Sequence, residues 1–205
     1  MDTKFDVKAV IFDLGRVLIG VDLTRGLFSH LQDRKNKNDV LLMEELFGNE
    51  LFIRFSSGLI SPTKFYEAFC KRLNLKFSYD EFVHEWCDIF YELDGMESLF
   101  YEVREKYPIG ILSDIDPLHW RKVLEILPFL KKVDQPVLSF EQGIMKPHPD
   151  IYIKASENLN VPIQNCLFID DRGVNVEGAK KAGMQSVQYI STDQIKIHLK
   201  NRNIL

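Results

Sequence analysis

Three times along the chain, a short apolar run ends directly in polar side chains. The runs, each with the residues that follow it, are Ala9–Phe12 with Asp13, Ile109–Leu112 with Ser113 and Asp114, and Cys166–Ile169 with Asp170 and Asp171. Such runs are typical of strands buried on both faces of a parallel sheet. Since the carboxyl ends of parallel strands lie along one edge of an open α/β sheet, we expect these polar side chains to meet there.

The residue types at this edge predict a particular chemistry. Asp13, Asp170 and Asp171 offer the oxygen ligands that a hard cation prefers, and the hydroxyl of Ser113 suits an anion. Gly15 gives the loop after the first strand the backbone freedom to approach a ligand closely. The sequence therefore predicts a site for a phosphate group and Mg²⁺.

The order of elements predicts an α/β fold. From about residue 94, predicted helices alternate with strands, including Val137–Leu138 and Ser186–Ile190, which implies βαβ units and a parallel sheet covered on both faces. Residues 22–90 are interpreted as helices without a strand. Ser61–Pro62 and Ser78–Glu81 predict the starts of two of them, by an N-cap before proline and by a capping box.

Two stretches of the helical region have alternative interpretations. The aromatic residues between Leu41 and Phe55 are Phe47, Phe52 and Phe55. Aromatic residues at helical spacing are usually core, and the alternative is that one or two of them form an apolar wall over the site. The charged run from 33 to 39 is interpreted as a solvated connection between helices.

Composition restricts the partners. The chain has 205 residues, a formal net charge of -4 and 27% charged residues, which offers no general attraction for nucleic acid or an anionic membrane. We therefore expect a small-molecule partner. We expect a cytoplasmic protein for two reasons. Its three cysteines are scattered, and the sequence has neither a recognisable signal peptide nor an apolar run long enough to span a membrane. Its oligomeric state is left open between monomer and homodimer.

Four motifs, in order, give the chain a specific resemblance. These are Phe12-Asp13-Leu14-Gly15, Leu112-Ser113-Asp114, Lys146-Pro147 and Ile169-Asp170-Asp171. Together they resemble the motifs of the haloacid dehalogenase (HAD) superfamily, and in particular its small helical-cap phosphatases, such as the α-glucose-1-phosphate phosphatases. The resemblance implies a Rossmann-like three-layer core, with a central parallel sheet, from residues 1–20 and 91–205. It also implies an inserted all-helical cap from residues 21–90.

The resemblance also implies roles for the residues at the site. Asp13 is the expected nucleophile, which forms an aspartyl phosphate, and Lys146 is expected to neutralise Asp13 and the phosphoryl group. Mg²⁺ would be held by Asp13, the backbone carbonyl of Gly15 and Asp171, with Asp170 in support. The residues expected to contact substrate are Ser113 and the backbone N–H of Asp114, which hold phosphate oxygens, and His119, which contacts the substrate or supports a residue that does.

Gly15 departs from the family pattern. Most phosphatases of this superfamily carry a second aspartate there, which acts as general acid and base; its loss predicts slow turnover or a preference for alcohols that depart easily. We do not expect Asp22 or Asp116 to replace it. The predicted function is Mg²⁺-dependent hydrolysis of a small phosphomonoester, with sugar phosphates favoured. The alternatives are a haloacid dehalogenase-type hydrolase and a weakly active binding or regulatory protein.

Overall fold

In the computed structural model of the protein, the central element is a five-stranded parallel sheet. The structure describes residues 6–27, 29–30 and 49–205. The strands are β1 (Ala9–Phe12), β4 (Ile109–Ser113), β5 (Val137–Leu138), β6 (Cys166–Asp170) and β7 (Gln185–Gln188), in the spatial order β5-β4-β1-β6-β7. The predicted parallel α/β sheet is confirmed, with β7 starting and ending slightly earlier than predicted. Residue 190 leaves the sheet, and its side chain is exposed.

Helices cover both faces of this sheet because successive strand residues point to opposite sides. Val10 and Phe12 of β1 join one apolar cluster, whereas Ala9 and Ile11 join the other. The helices that follow β3 (Phe90–Glu92) are α4 (Met96–Arg104), α5 (Pro117–Ile126), α6 (Ser139–Gln142), α7 (Pro149–Asn158), α8 (Gly173–Lys181) and α9 (Thr192–Asn201). Residues of α4, α5 and α9 pack in the first cluster, and residues of α7 and α8 in the second. The result is a three-layer core.

Helices also lie between β2 (Ile19–Val21) and β3. They include α1 (Glu50–Ser56), α2 (Pro62–Leu73) and α3 (Tyr79–Cys87). Both predicted helix starts are confirmed: the Ser61 side chain caps α2, with proline at its first position, and Ser78 and Glu81 form the capping box of α3. The charged run 33–39 and Phe47 lie outside the described residues. The division into core and cap domains remains a prediction.

A two-stranded antiparallel ribbon joins these helices to the core. β2 pairs with β3, with Ile19 opposite Glu92 and Val21 opposite Phe90. No sequence pattern predicted this ribbon, and the interpretation of residues 22–90 as helices alone is wrong at Phe90. Strands of three residues are too short to show an alternating pattern, and their pairing depends on residues distant in sequence.

A glycine allows α8 to pack against the loop that follows residue 146. A Cβ atom at Gly178 would lie 2.7 Å from Pro147 Cβ and 2.8 Å from Tyr152 Oη. Both contacts are shorter than van der Waals separation, so a larger residue must push the helix or the loop away. The small residues that the sequence places on this helix therefore serve close packing.

We expect Gly178→Ala to destabilise the fold by about 1–3 kcal/mol, because overpacking forces backbone shifts. Gly173→Ala in the same helix is the matched control, since its new Cβ would meet nothing closer than 3.8 Å. Urea unfolding of both variants measures the difference. Equal stability of the two variants would contradict the close approach.

Within the described residues, no helix is long and apolar enough to cross a membrane.

Candidate active site

The register of the sheet brings the predicted polar residues to one edge. Phe12 of β1 lies opposite Ile111 of β4 and Ile169 of β6, so the three strands end at nearly the same level. The backbone N–H of Asp13 donates to Ile169 O at 2.9 Å, which extends the pairing by one residue. Asp13, Ser113 and Asp170 are all buried here.

Lys146 connects the three strand ends. Its Nζ atom lies 2.9 Å from Asp13 Oδ1, 2.8 Å from Asp170 Oδ2 and 3.3 Å from the backbone O of Leu112. The backbone N–H of Lys146 also donates to Asp114 Oδ1 at 2.9 Å. The lysine side chain is almost completely buried, so its charge acts on these groups with little screening by water.

The carboxylates around this lysine are difficult to ionise together. Burial raises the pKa of Asp13 to about 7, against the lowering effect of Lys146, and the neighbouring Asp170 raises it further. Burial also raises the pKa of Asp171 and Asp114. Burial alone would lower the pKa of Lys146, but the surrounding carboxylates raise it above its ordinary value. The site therefore holds more negative charge than one lysine balances.

This imbalance predicts a stability effect in the absence of added metal. The pKa of Asp13 is about 7 in the folded state against an ordinary 3.8, so the folded state holds a proton that the unfolded state lacks between these pH values. Wild type should lose stability as the pH rises through this window. Asp13→Asn has no such loss, and above pH 7 it should be more stable by about 2–4 kcal/mol.

Urea unfolding in the presence of a chelator, repeated between pH 4 and pH 8.5, measures this effect. A difference between the two proteins that does not change with pH would contradict it.

Three carboxylates form a candidate cation site. Asp13, Asp170 and Asp171 each have an oxygen within 4.8 Å of the others. The carboxylate of Asp170 is already hydrogen-bonded within the protein. It accepts hydrogen bonds from Lys146, the backbone N–H of Arg172 and the Asn175 side-chain amide. Asp171 is partly exposed, so its carboxylate is more accessible than that of Asp170.

An unpaired oxygen supports the fit to a hydrated cation. Asn175 Nδ2 donates to both oxygens of Asp170, which fixes the orientation of the amide. Its Oδ1 atom is buried and has no hydrogen-bond partner among the described residues. A metal-bound water would satisfy this acceptor, and acidic oxygen ligands suit Mg²⁺, which usually retains several waters.

Two adjacent chambers, which share lining residues, lie beside these groups. The polar chamber, of about 170 Å³, is lined by residues that include Asp13, Ser113, Lys146, Asp171 and Asn175. The apolar chamber, of about 640 Å³, is lined by residues that include Ile19, Phe52, Ile89, Phe90, Ile115 and Met145. The described residues that line both chambers are Gly15, Arg16, Val21, Ser113, Asp114 and Arg172.

The aromatic residues of α1 answer the question left open by the sequence. Phe55 is fully buried and stacks on Phe65 with ring centroids 4.1 Å apart, so it belongs to the core. Phe52 packs against that core and also lines the apolar chamber. One phenylalanine therefore serves packing, and the other also forms part of an apolar wall.

His119 lies in the wall of the apolar chamber and is buried. Its Nε2 donates to the backbone O of Trp86 at 2.9 Å, because that oxygen can only accept, and its Nδ1 lies 2.8 Å from Asp116 Oδ2. The ring also stacks on Trp86. Both ring nitrogens are thus engaged within the protein, and the substrate contact expected of His119 stays a prediction.

Both carboxylate oxygens of Asp116 also accept hydrogen bonds within the protein. Its Oδ1 accepts the backbone N–H groups of Leu118 and His119, and its Oδ2 accepts Trp86 Nε1 at 3.2 Å. The expectation that Asp116 does not supply the missing acid stays a prediction. Asp22 is half-buried, and its Oδ1 accepts hydrogen bonds from the backbone N–H and the hydroxyl of Thr24.

Sequence reasoning did not identify three residues at this site: Asn175, Arg16 and Arg172. The amide contacts of Asn175 depend on how α8 packs, which no local sequence pattern shows. Arg16 and Arg172 line both chambers. Their positions directly after Gly15 and Asp171 were the available signal.

Comparison with known proteins identifies the family. The model of the haloacid dehalogenase-like hydrolases matches residues 7–183, which is most of the chain. The chain therefore belongs to the haloacid dehalogenase-like hydrolases.

Several curated relatives are phosphatases. D-ribitol-5-phosphate phosphatase from Bacteroides thetaiotaomicron is 23% identical over 89% of this chain and 91% of its own length. Glyceraldehyde 3-phosphate phosphatase from Pyrococcus abyssi is 36% identical over 48% of this chain, but the match spans only 42% of that protein.

Solved structures share the fold. A HAD family enzyme from Bacteroides thetaiotaomicron, in complex with magnesium and inorganic phosphate, has a TM-score of 0.78 at 22% identity, covering 91% of this chain and 96% of that chain. L-2-haloacid dehalogenase from Xanthobacter autotrophicus, with chloropropionic acid covalently bound, has a TM-score of 0.66 at 18% identity. This match covers 97% of this chain and 84% of the dehalogenase.

Proposed function

We propose that this protein is a Mg²⁺-dependent phosphatase that hydrolyses a small phosphomonoester through a covalent phosphoryl group on Asp13. The observation that carries the proposal is the Lys146 ammonium between Asp13 and Asp170, with the accessible carboxylate of Asp171 beside them. The phosphatase relatives and the neighbouring structure with magnesium and phosphate support it.

The reaction divides into two displacements at phosphorus. A carboxylate oxygen of Asp13 forms a bond to phosphorus while the bond to the alcohol oxygen breaks, and the alkoxide leaves with the bonding pair and takes a proton from water. Water then attacks phosphorus, the bond to Asp13 breaks, and inorganic phosphate is released. Asp13 returns to its carboxylate form.

The residues around Asp13 position it and balance charge. Asp13 Oδ1 accepts hydrogen bonds from the backbone N–H of Leu14 at 2.7 Å and from Lys146, which fix the carboxylate plane. Ser113 and the backbone N–H of Asp114 would hold phosphoryl oxygens in the polar chamber. Lys146 would stabilise the charge that develops on them.

Asp13, Asp171 and the backbone carbonyl of Gly15 would hold Mg²⁺, while Asp170 fixes Lys146 and Asn175. When bound, the ion would neutralise charge on the phosphate oxygens and make phosphorus more open to attack. The excess negative charge of the carboxylates suits a divalent cation.

Gly15 places no acid beside the leaving group, so the alcohol must depart with little help. The family resemblance and the names of the relatives favour sugar phosphates, and an anomeric sugar phosphate departs more easily than an ordinary alkyl phosphate. We propose that the substrates are small phosphomonoesters whose alcohol is a good leaving group. We also propose that the protein acts in the cytoplasm, because its three cysteines are free and buried.

A magnesium titration tests the metal assignment. We expect 4-nitrophenyl phosphate hydrolysis to need Mg²⁺ and to stop with a chelator. Asp171→Asn should raise the Mg²⁺ concentration for half-maximal rate by about tenfold or more, because it removes a charged oxygen ligand.

Asp193→Asn, on the exposed first turn of α9, is the matched control and should leave the titration unchanged. Hydrolysis that is unaffected by the chelator would contradict the proposal. Chloride release from a haloacid without metal would favour the dehalogenase alternative, for which the structure offers no specific support.

A further inference from the structure

The two chambers divide the site by chemistry. The polar chamber contains Asp13, Lys146 and Asp171, which are the groups that act on the phosphoryl group in the proposed function. The apolar chamber adjoins it and shares Gly15, Ser113 and the arginine side chains with its lining. With the phosphoryl group in the polar chamber, the apolar chamber is the space next to it that is available for the leaving group.

Away from the residues that it shares with the polar chamber, the described lining of the apolar chamber offers few hydrogen-bonding side chains to a polyol. Among the described residues that line it, the polar side chains beyond those shared with the polar chamber are Asp116 and His119. Both are engaged with each other and with Trp86. Burying sugar hydroxyls without partners is unfavourable, so the part of the chamber away from the shared residues disfavours them.

The same chamber offers flat apolar surface. The rings of Phe52, Phe90 and His119 line it, and aliphatic side chains such as Ile115 complete the wall. Aromatic guests stack on such rings and bury apolar area there. Its volume of about 640 Å³ is within the roughly 300–1,000 Å³ of small-molecule sites, enough for one or two fused rings.

We propose that the substrates of this enzyme are phosphate esters of aromatic alcohols, with the aryl group in the apolar chamber. This inference rests on the proposed phosphatase function and narrows its substrate class away from sugar phosphates. The chemistry of the leaving group also supports this inference. Gly15 provides no general acid, and a phenolate needs none, because it leaves with the bonding pair before it takes a proton from water. The apolar chamber and Gly15 thus favour the same leaving group.

Three substrates test the proposal on the full chain with Mg²⁺. Phenyl phosphate and 1-naphthyl phosphate release phenols of similar acidity, so a lower KM for the naphthyl ester reports apolar contact rather than leaving-group chemistry. We expect kcat/KM for 1-naphthyl phosphate to exceed that for glucose 1-phosphate by at least about tenfold.

Variants of two phenylalanines locate the contact. Phe52→Ala should lower kcat/KM for 1-naphthyl phosphate, relative to that for acetyl phosphate, by about tenfold, mainly through KM. Phe77→Ala is the matched control: this half-buried ring contacts His30, lies outside the lining of both chambers and should leave the ratio unchanged.

The outcomes separate this inference from the function on which it depends. If kcat/KM for glucose 1-phosphate exceeds that for both aryl esters, the aryl assignment is overturned, but the proposed phosphatase function is not. An unchanged substrate ratio in Phe52→Ala would overturn the placement of the aryl group. Failure to hydrolyse any of the esters with Mg²⁺ would overturn the proposed phosphatase itself.

Discussion

Asp13→Asn should abolish phosphatase activity, with a loss in kcat of about 10⁴-fold or more, because the amide cannot form the covalent phosphoryl group. The substitution keeps the size of the side chain, and its carbonyl oxygen can still accept from Leu14 and Lys146. The loss should therefore appear in kcat at saturating substrate, without unfolding of the protein.

Steady-state kinetics with 4-nitrophenyl phosphate, together with a thermal melt of each protein, measures this. Asp193→Asn, an exposed Asp-to-Asn change outside both chambers, should retain full activity. Activity of Asp13→Asn within tenfold of wild type would remove Asp13 from the role of nucleophile.

Gly15→Asp should raise the rate on esters of ordinary alkyl alcohols by about 10²-fold, the lower range of general acid catalysis. The structure has room for the side chain, because a Cβ atom at Gly15 would contact only Val21 Cγ2, at 3.7 Å, among the residues that the structure describes. Gly15 lines both chambers, so a carboxyl group there would lie beside the leaving oxygen.

Gly15→Asn is the matched control, with the same size and no transferable proton. Glycerol phosphate should show the gain, whereas 4-nitrophenyl phosphate, whose leaving group needs no acid, should show little. Equal rates for the aspartate and asparagine variants on glycerol phosphate would show that position 15 does not face the leaving oxygen.

The sequence predicted the parts of the site that depend on strand ends. Asp13, Ser113, Asp170 and Asp171 follow apolar runs, and parallel pairing in register is sufficient to bring them to one edge. The structure also places Lys146 among them, as the motif order implied. Their catalytic and metal-binding roles remain proposals.

The remaining features depend on packing between distant segments. The contact of the Asn175 amide with Asp170 depends on how α8 packs, and the ribbon of β2 and β3 consists of strands too short to show a period. The engagement of His119 by Trp86 joins residues 33 positions apart. No local pattern carries such information.

The chambers are also a product of tertiary structure. The sequence could identify Phe52 as a residue of the core or of a wall, but not decide between them. Residues from several separate segments, among them Gly15, Phe52, Phe90 and Ile115, line the apolar chamber. The shape and lining of the chamber, on which the proposed substrate class depends, therefore could not be predicted from the sequence.

The most direct test of the covalent mechanism is to trap the phosphoryl group. Without an acid or base at position 15, release of an aryl leaving group should be faster than hydrolysis of phospho-Asp13, so the covalent form should accumulate during turnover. Rapid quenching followed by borohydride reduction converts an aspartyl phosphate to homoserine, which peptide mass spectrometry locates. We expect homoserine at position 13 in wild type and none in Asp13→Asn. A phosphoryl group on another residue, or continued turnover with position 13 unmodified, would rule out Asp13 as the nucleophile.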